Sequence, residues 1–465
     1  MLILIVRWAY YLFFTLSIIN AQTILPTSIN EDIYFYKTNS PYLVNNTVTI
    51  NEGSTVQFEK GCTILFDNAQ TFHVLGILIL SGTSNDSIYL SSSTQNTYWG
   101  PIVSDNGTLV FSYNVISSVK KIISSNHGII KINNSKIKTI AGSDGDDGIS
   151  IHYADTLKIL NSELEGAPTG GKIDGIDADG VSYSLISGNI IKNWPDDGID
   201  IGTGSQYIYI INNTISNNDC GISIGENSNV YVENNVIYDN AIGIQSHNGS
   251  ISICNQNTLV GNHYSLQPYH GSDANTGGTI NIINSIMSSA LYLDYNDQIN
   301  SVVDIAYCLS DTDILIGVGN IYSDPLFCSA EQFDYTLSQN SPCVGAGENG
   351  VNLGAFGVGC ETAIIETDKN LVPIKFVLGQ NFPNPFNLTT TLRYELPEDG
   401  IVNITIYDMM GRIVKTPVNG SHTAGYKTIQ WYATNDSNEL VPTGLYLYTI
   451  KIGRIMETKK MVLLK

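Results

Sequence analysis

Apolar and polar positions alternate along much of this chain in short runs, such as Thr47-Val-Thr-Ile, Ser54-Thr-Val-Gln-Phe, Thr63-Ile-Leu-Phe and Ser87-Ile-Tyr-Leu. Alternation with period two, rich in β-branched residues, predicts strands with one buried face. From Asp147 onward the runs fall into step. Asp147-Gly-Ile-Ser-Ile, Asp174-Gly-Ile-Asp-Ala, Asp197-Gly-Ile-Asp-Ile, Cys220-Gly-Ile-Ser-Ile and Ile242-Gly-Ile-Gln-Ser begin 27, 23, 23 and 22 residues apart. A second element keeps the same beat: Ser135, Ser162, Asn189, Asn213, Asn235, Asn257 and Ser285, each followed by one residue and then an aliphatic or Met. Such repeats, without helical periodicity, predict a solenoid of stacked β-strands. One repeat cannot bury its apolar side alone. Ile149, Ile176, Ile199, Ile222 and Ile244 are therefore expected to stack inside as a ladder, with Asp177 and Asp200 facing solvent on one sheet. The asparagines at 189, 213, 235 and 257 read as structural, their amides bonding from turn to turn.

The same repeats carry the candidate chemistry. Asp146, Asp147, Asp174, Asp177, Asp196, Asp197 and Asp200 fall on three consecutive rungs. Rungs lie about 4.8 Å apart, and the cations nearest in sequence are Lys172 and Lys192. Carboxylates so crowded cannot all ionise freely, so some keep their protons or a cation binds. The plain alternative is turn chemistry, with Asp capping a bend and Gly taking a backbone shape that other residues resist.

Composition narrows the partners. The formal net charge is −21, no arginine falls between Trp8 and Leu392, and no lysine between Asn193 and Asp368. A chain so poor in cations is unsuited to nucleic acid. Residues 1–21 hold Arg7, an apolar run from Trp8 to Ile19, then Asn20-Ala21. This predicts a secretory signal peptide cleaved after Ala21, and no other stretch is long and apolar enough to span a bilayer. Seven cysteines is an odd number for an exported chain. One or two disulfides are expected among the four from Cys308 onward, and buried thiols at Cys62, Cys220 and Cys254.

The opening runs, with Trp99-Gly-Pro-Ile, and the closing series Asp324-Pro-Leu-Phe, Ser341-Pro-Cys and Leu353-Gly-Ala-Phe-Gly resemble secreted right-handed parallel β-helix proteins of the pectate-lyase-like superfamily. The resemblance covers residues 46–360, after a lead-in at 22–45. It implies an all-β solenoid that hosts lyases, hydrolases, epimerases and plain surface proteins. Residues 361–377 read as a linker. Gly379-Gln-Asn-Phe-Pro-Asn-Pro-Phe-Asn, Val402-Asn-Ile-Thr-Ile-Tyr-Asp, Gly444-Leu-Tyr-Leu-Tyr and the terminal Lys459-Lys-Met-Val-Leu-Leu-Lys closely resemble the C-terminal sorting domain of type IX secretion substrates. For residues 378–465 this implies a small Ig-like β-sandwich, engagement of the type IX machinery, and a product that is secreted or held on the outer cell surface.

In order and spacing, Asp174-Gly-Ile-Asp177, Asp196-Asp197-Gly and Cys220-Gly-Ile-Ser resemble the motif series of polygalacturonase-type glycosidases. The resemblance implies Asp174, Asp196 and Asp197 as acid/base carboxylates of an inverting hydrolase, with a carboxyl gap of about 6.5–9.5 Å. Two departures matter. Cys220 stands where that family has histidine, and its downstream Arg-x-Lys for a uronate carboxylate has no counterpart. A neutral or metal-bridged sugar is thus the better fit. Asp174, Asp196, Asp197 and Asp200 also resemble the calcium ligands of a β-helical pectate lyase family, which implies Ca²⁺ as cofactor. In that family a lysine on a later rung is the base, and this chain has none there. Around the acids, Asp177, Asp200, Trp194, Lys172, Lys192, His152 and His247 are candidates to contact an extracellular polysaccharide, and Tyr153, Tyr264 and Tyr269 could floor its groove. Hydrolysis leads, ahead of a non-catalytic glycan-binding rod and of a calcium-dependent lyase.

Overall fold

The computed structural model describes residues 22–361 except 141, 168–170, 271–275, 290 and 294–299, and residues 376–464 except 379–380, 382–385, 388–389, 438–439 and 454. The expected signal peptide and linker residues 362–375 lie outside the described residues. The chain forms two compact units, residues 1–363 and 364–465.

In the first unit twelve successive turns each contribute one strand to each of three parallel sheets, and two further strands, Leu309–Ser310 and Ile321–Tyr322, extend the first sheet to 14. Among the described residues there is no α-helix, only 3-10 turns such as Lys37–Asn39. Coiling begins upstream of Asn46. Thr23–Ile24, Ser28–Ile29 and Ile33–Phe35 already pair with Tyr42–Val44, Val48–Ile50 and Thr55–Phe58, so the lead-in supplies the first turn. Burial strictly alternates in strands such as Thr55–Phe58 and Thr63–Phe66, as period-two patterning requires.

The isoleucine ladder lies in the second sheet and has the expected register. Ile149 pairs with Ile176, then Ile199, Ile222, Ile244 and finally Leu266. All six are fully buried. The outward column beside it runs Ser150, Asp177, Asp200, Ser223, Gln245, Gln267.

Two asparagine ladders clamp the corners. The amide of Asn213 donates to Ile186 O at 2.9 Å and to Asn235 Oδ1 at 3.0 Å, while its own Oδ1 accepts the Asn189 backbone N–H at 2.9 Å. Asn235 and Asn257 repeat the arrangement. A second series, Asn218, Asn240 and Asn262, begins where Asn218 Oδ1 accepts the Trp194 N–H at 2.9 Å. Buried amides are tolerable here because each backbone and side-chain group finds a partner one turn away.

Beyond Tyr322, strands Phe327–Ser329, Asp334–Ser338 and Val358–Cys360 form a separate small sheet. Cys328 and Cys360 are joined in a disulfide, and the other five cysteines are buried thiols. Tyr335 packs against Val236 and Val260 of the first sheet. The second unit has a five-stranded sheet, with Gly400–Asp408 between Ile413–His422 and Gly444–Ile452, and a three-stranded one centred on Thr390–Leu396. Leu392, Tyr394, Ile404, Trp431, Tyr448 and Met461, drawn from both sheets, share one core.

Candidate functional site

The acidic residues sit where strands of the second sheet begin and on its outward column. Their placement has a structural side. The Asp174 N–H donates to Asp147 Oδ1 at 3.2 Å, and the Asp197 N–H donates to Asp174 Oδ1 at 2.8 Å. Each aspartate therefore holds the backbone of the next turn. Asp147 is also compensated by Lys121 Nζ at 3.5 Å and drops out of the reactive set.

Asp174, Asp196 and Asp197 converge. One carboxylate oxygen from each lies within 4.8 Å of the others. That is tighter than the gap expected for an inverting pair and suits oxygens that share a proton or a cation. Asp197 is buried, and its carboxyl is pushed well up by that burial, then by Asp200, Asp174 and Asp196. Burial, with Asp200 next, pushes Asp174 up to about 8. Burial and Asp177 push Asp200 up to about 7, and burial with Asp147 pushes Asp177 up to about 6. Asp196 is raised by burial too, but Lys172 pulls it back. Of the trio, Asp196 alone has a cation opposing its rise.

The neighbours are sorted less evenly. Lys172 and His152 stand beside the strip as expected. His152 Nδ1 lies 3.3 Å from Asp179 Oδ2, and Ser150, 3.5 Å from His152 Nε2, donates to Asp177 Oδ2 at 3.2 Å. Asp177 and Asp200 share a column on the outward face but are half-buried rather than open to solvent. Trp194 does not face that column. It is 2% exposed, and a Cβ added to Gly148, Gly166 or Gly175 would lie 2.5, 2.7 or 2.8 Å from its indole. Three glycines make the slot that takes the ring into the core. Lys192 is also elsewhere, because its strand Ile190–Lys192 belongs to the first sheet, where Nζ binds Glu163 at 2.7 Å and Glu165 at 3.6 Å.

His247 stands on the C-terminal flank. Its ring lies over Gly225 and packs against Tyr269 at 4.9 Å between centroids, tilted by 32°, and its buried Nδ1 has no hydrogen-bond partner among the described residues. Two residues carry roles that the repeat pattern did not assign. The Ser223 hydroxyl offsets part of the rise of both Asp197 and Asp200, and Gln245 Nε2 donates to Ser223 Oγ at 2.8 Å. Their signal was positional, since both occupy the column of Asp177 and Asp200.

Residues 147–304 match the family described as right handed beta helix region, and residues 380–464 match the secretion system C-terminal sorting domain. No curated protein matches the chain. Among solved structures it is similar to pectate lyase Pel9A at 16% identity, covering 67% of this chain and 89% of that one, with a TM-score of 0.35. It is similar to the periplasmic alginate epimerase AlgG at 13% identity, 71% and 83% coverage, TM-score 0.40. Dimeric latent PorU from Porphyromonas gingivalis matches at 24% identity over 19% of this chain and only 9% of its own, TM-score 0.17. At these values none of them says what this chain acts on. Among the described residues no helix is long and apolar enough to cross a membrane. The chain thus carries a right-handed parallel β-helix and, behind it, a type IX sorting domain, and it is a secreted or cell-surface protein.

Proposed function

We propose that the protein cleaves an extracellular polysaccharide by hydrolysis at Asp174, Asp196 and Asp197. The observation that carries this is the convergence of the three carboxyls within 4.8 Å at half-buried positions. Crowding and burial keep a proton on one of them near neutral pH, which is what a general acid requires. Asp197, the most buried of the trio, is the acid that protonates the leaving sugar oxygen. Asp196, which Lys172 helps to ionise, is the nucleophile that takes the sugar as the leaving oxygen departs, since so short a gap suits a retaining pair; the Asp197 carboxylate then activates the water that releases the sugar from Asp196. Asp174 holds the Asp197 backbone in place, and its charge adds to the rise of the acid. A neutral sugar is the preferred substrate, because Lys121 and Lys192 are committed to Asp147 and to the Glu163–Glu165 pair, and Lys172 offsets the charge of Asp196. The test is a polysaccharide panel read for new reducing ends and for the absorbance of unsaturated products. Reducing ends without unsaturation, lost in Asp197→Asn, support hydrolysis. Unsaturated products, or full activity in Asp197→Asn, end it.

The same convergence favours a second reading, a Ca²⁺ site. The donor set fits, being hard carboxylate oxygens, and Asp174 keeps one oxygen free of the Asp197 N–H. Asp174, Asp196 and Asp197 would hold the ion, with Asp200 beside them. Bound calcium would neutralise the strip and bridge to an anionic sugar.

A further inference from the structure

The acidic strip has a wall on its C-terminal side. Tyr269 follows the strand Tyr264–Pro268, three rungs beyond Asp197–Gly202, or about 14 Å along the solenoid at about 4.8 Å per rung. It is tied to the sheet by its N–H, which donates to Ser246 O at 3.0 Å. The outward column that leads to it reads His152, Asp179, Gly202, Gly225, His247, Tyr269. With no side chain at Gly225, the His247 ring leans one turn back towards the strip, and a Cβ there would lie 2.4 Å from its Cε1. Tyr269 packs against that imidazole at a tilt of 32°. The rungs between this wall and the acids carry neutral polar side chains, Ser223 and Gln245, which are 1% and 9% exposed.

We propose that Tyr269, braced by His247, is a positioning residue whose phenol O–H holds a sugar ring over Ser223 and Gln245, next to Asp197. This rests on the hydrolytic reading of the strip and names the contact that orients the substrate there. Ser223 and Gln245 occupy the two rungs between Asp200 and the strand that leads to the tyrosine. The phenol is raised by burial and then by Asp197, Cys220, Asp200 and Asp196, so the strip's field reaches it and it stays a donor. A neutral donor fits a site whose lysines already face carboxylates, because it can bond a sugar oxygen without ionising the acid.

Tyr269→Phe keeps the ring and its packing on His247 and removes only the hydroxyl. In the full chain it should lower reducing-end release about tenfold, the worth of one hydrogen bond. Tyr269→Ala should lower it further and raise KM, whereas Asp197→Asn should act on kcat alone. A merely structural tyrosine would leave the Phe variant at wild-type kcat and KM, and that result with Asp197→Asn inactive overturns the assignment alone. Full activity in Asp197→Asn overturns the hydrolytic reading instead. If no polymer is cleaved, retention on insoluble neutral polysaccharides decides. Retention weakened by Tyr269→Phe and Tyr269→Ala keeps the tyrosine contact and ends hydrolysis. Retention that is absent, or the same in both variants, ends both.

Discussion

Asp177→Asn should stabilise the folded protein above pH 6 and do nothing at pH 4. Burial and Asp147 raise this carboxyl from 3.8 to about 6, so the fold favours its neutral form. The sign follows. Below the unfolded pKa the group is protonated in both states and has no effect. Between pH 4 and 6 the unfolded chain ionises first, and the folded state loses stability by a growing amount. Above pH 6 the loss is complete. A shift of roughly 2 units at about 1.36 kcal/mol each gives about 3 kcal/mol, and the partial exposure of the group lowers this to about 2 kcal/mol. Asparagine keeps an oxygen to accept from Ser150 Oγ, now 3.2 Å from Asp177 Oδ2, and carries no charge. Thermal or urea melts of both forms at pH 4, 6 and 8 read the difference directly. The variant should melt a few degrees higher at pH 8 and together with wild type at pH 4. A variant equally or less stable at pH 8 would refute the claim that the strip is held at the cost of uncompensated charge.

Calorimetry of the full chain with calcium chloride should show binding that Asp197→Asn weakens, if the trio takes Ca²⁺; no heat and no rise in melting temperature removes the metal. Replacing Cys328 and Cys360 by serine opens a closure with a sequence separation of 32, which chain entropy values at about 3–4 kcal/mol. That loss should appear in the melt of the C-terminal turns, and an unchanged transition would show that packing at Tyr335 suffices. Asn213→Ala strands the buried Asn189 N–H and Ile186 carbonyl and should cost about 3 kcal/mol or more. Loss below about 1 kcal/mol would mean that water enters the ladder.

The solenoid was legible because its contacts recur at a fixed sequence distance. Once Ile149, Ile176 and Ile199 are aligned, the register of every neighbour follows, and the structure has that register. The same alignment places Ser223 and Gln245 beside Asp200, but uncharged side chains give no chemical signal until the carboxylates they touch are seen. The first turn escaped notice because strands such as Thr23–Ile24 are too short to show a period. Trp194 misled because it adjoins Asp196 in sequence. Its fate is set by Gly148, Gly166 and Gly175 on other segments, and only packing brings those together. Lys192 lies on the wrong sheet because the chain turns a corner between it and Asp197. Within the strip, the sequence showed which carboxylates gather but not which would be most buried. That separates Asp197 from Asp196, and it depends on atoms from several turns.

Hydrolysis here requires a strip carboxyl that keeps its proton at neutral pH. Infrared difference spectra of wild type against Asp197→Asn, recorded from pH 4 to 9, observe that proton through the carbonyl band of an un-ionised acid. The expected result is a band at pH 7 in wild type that is weaker in the variant, the remainder coming from Asp174 and Asp200. A wild-type spectrum at pH 7 with every aspartate ionised would contradict the assignment of Asp197 as the acid.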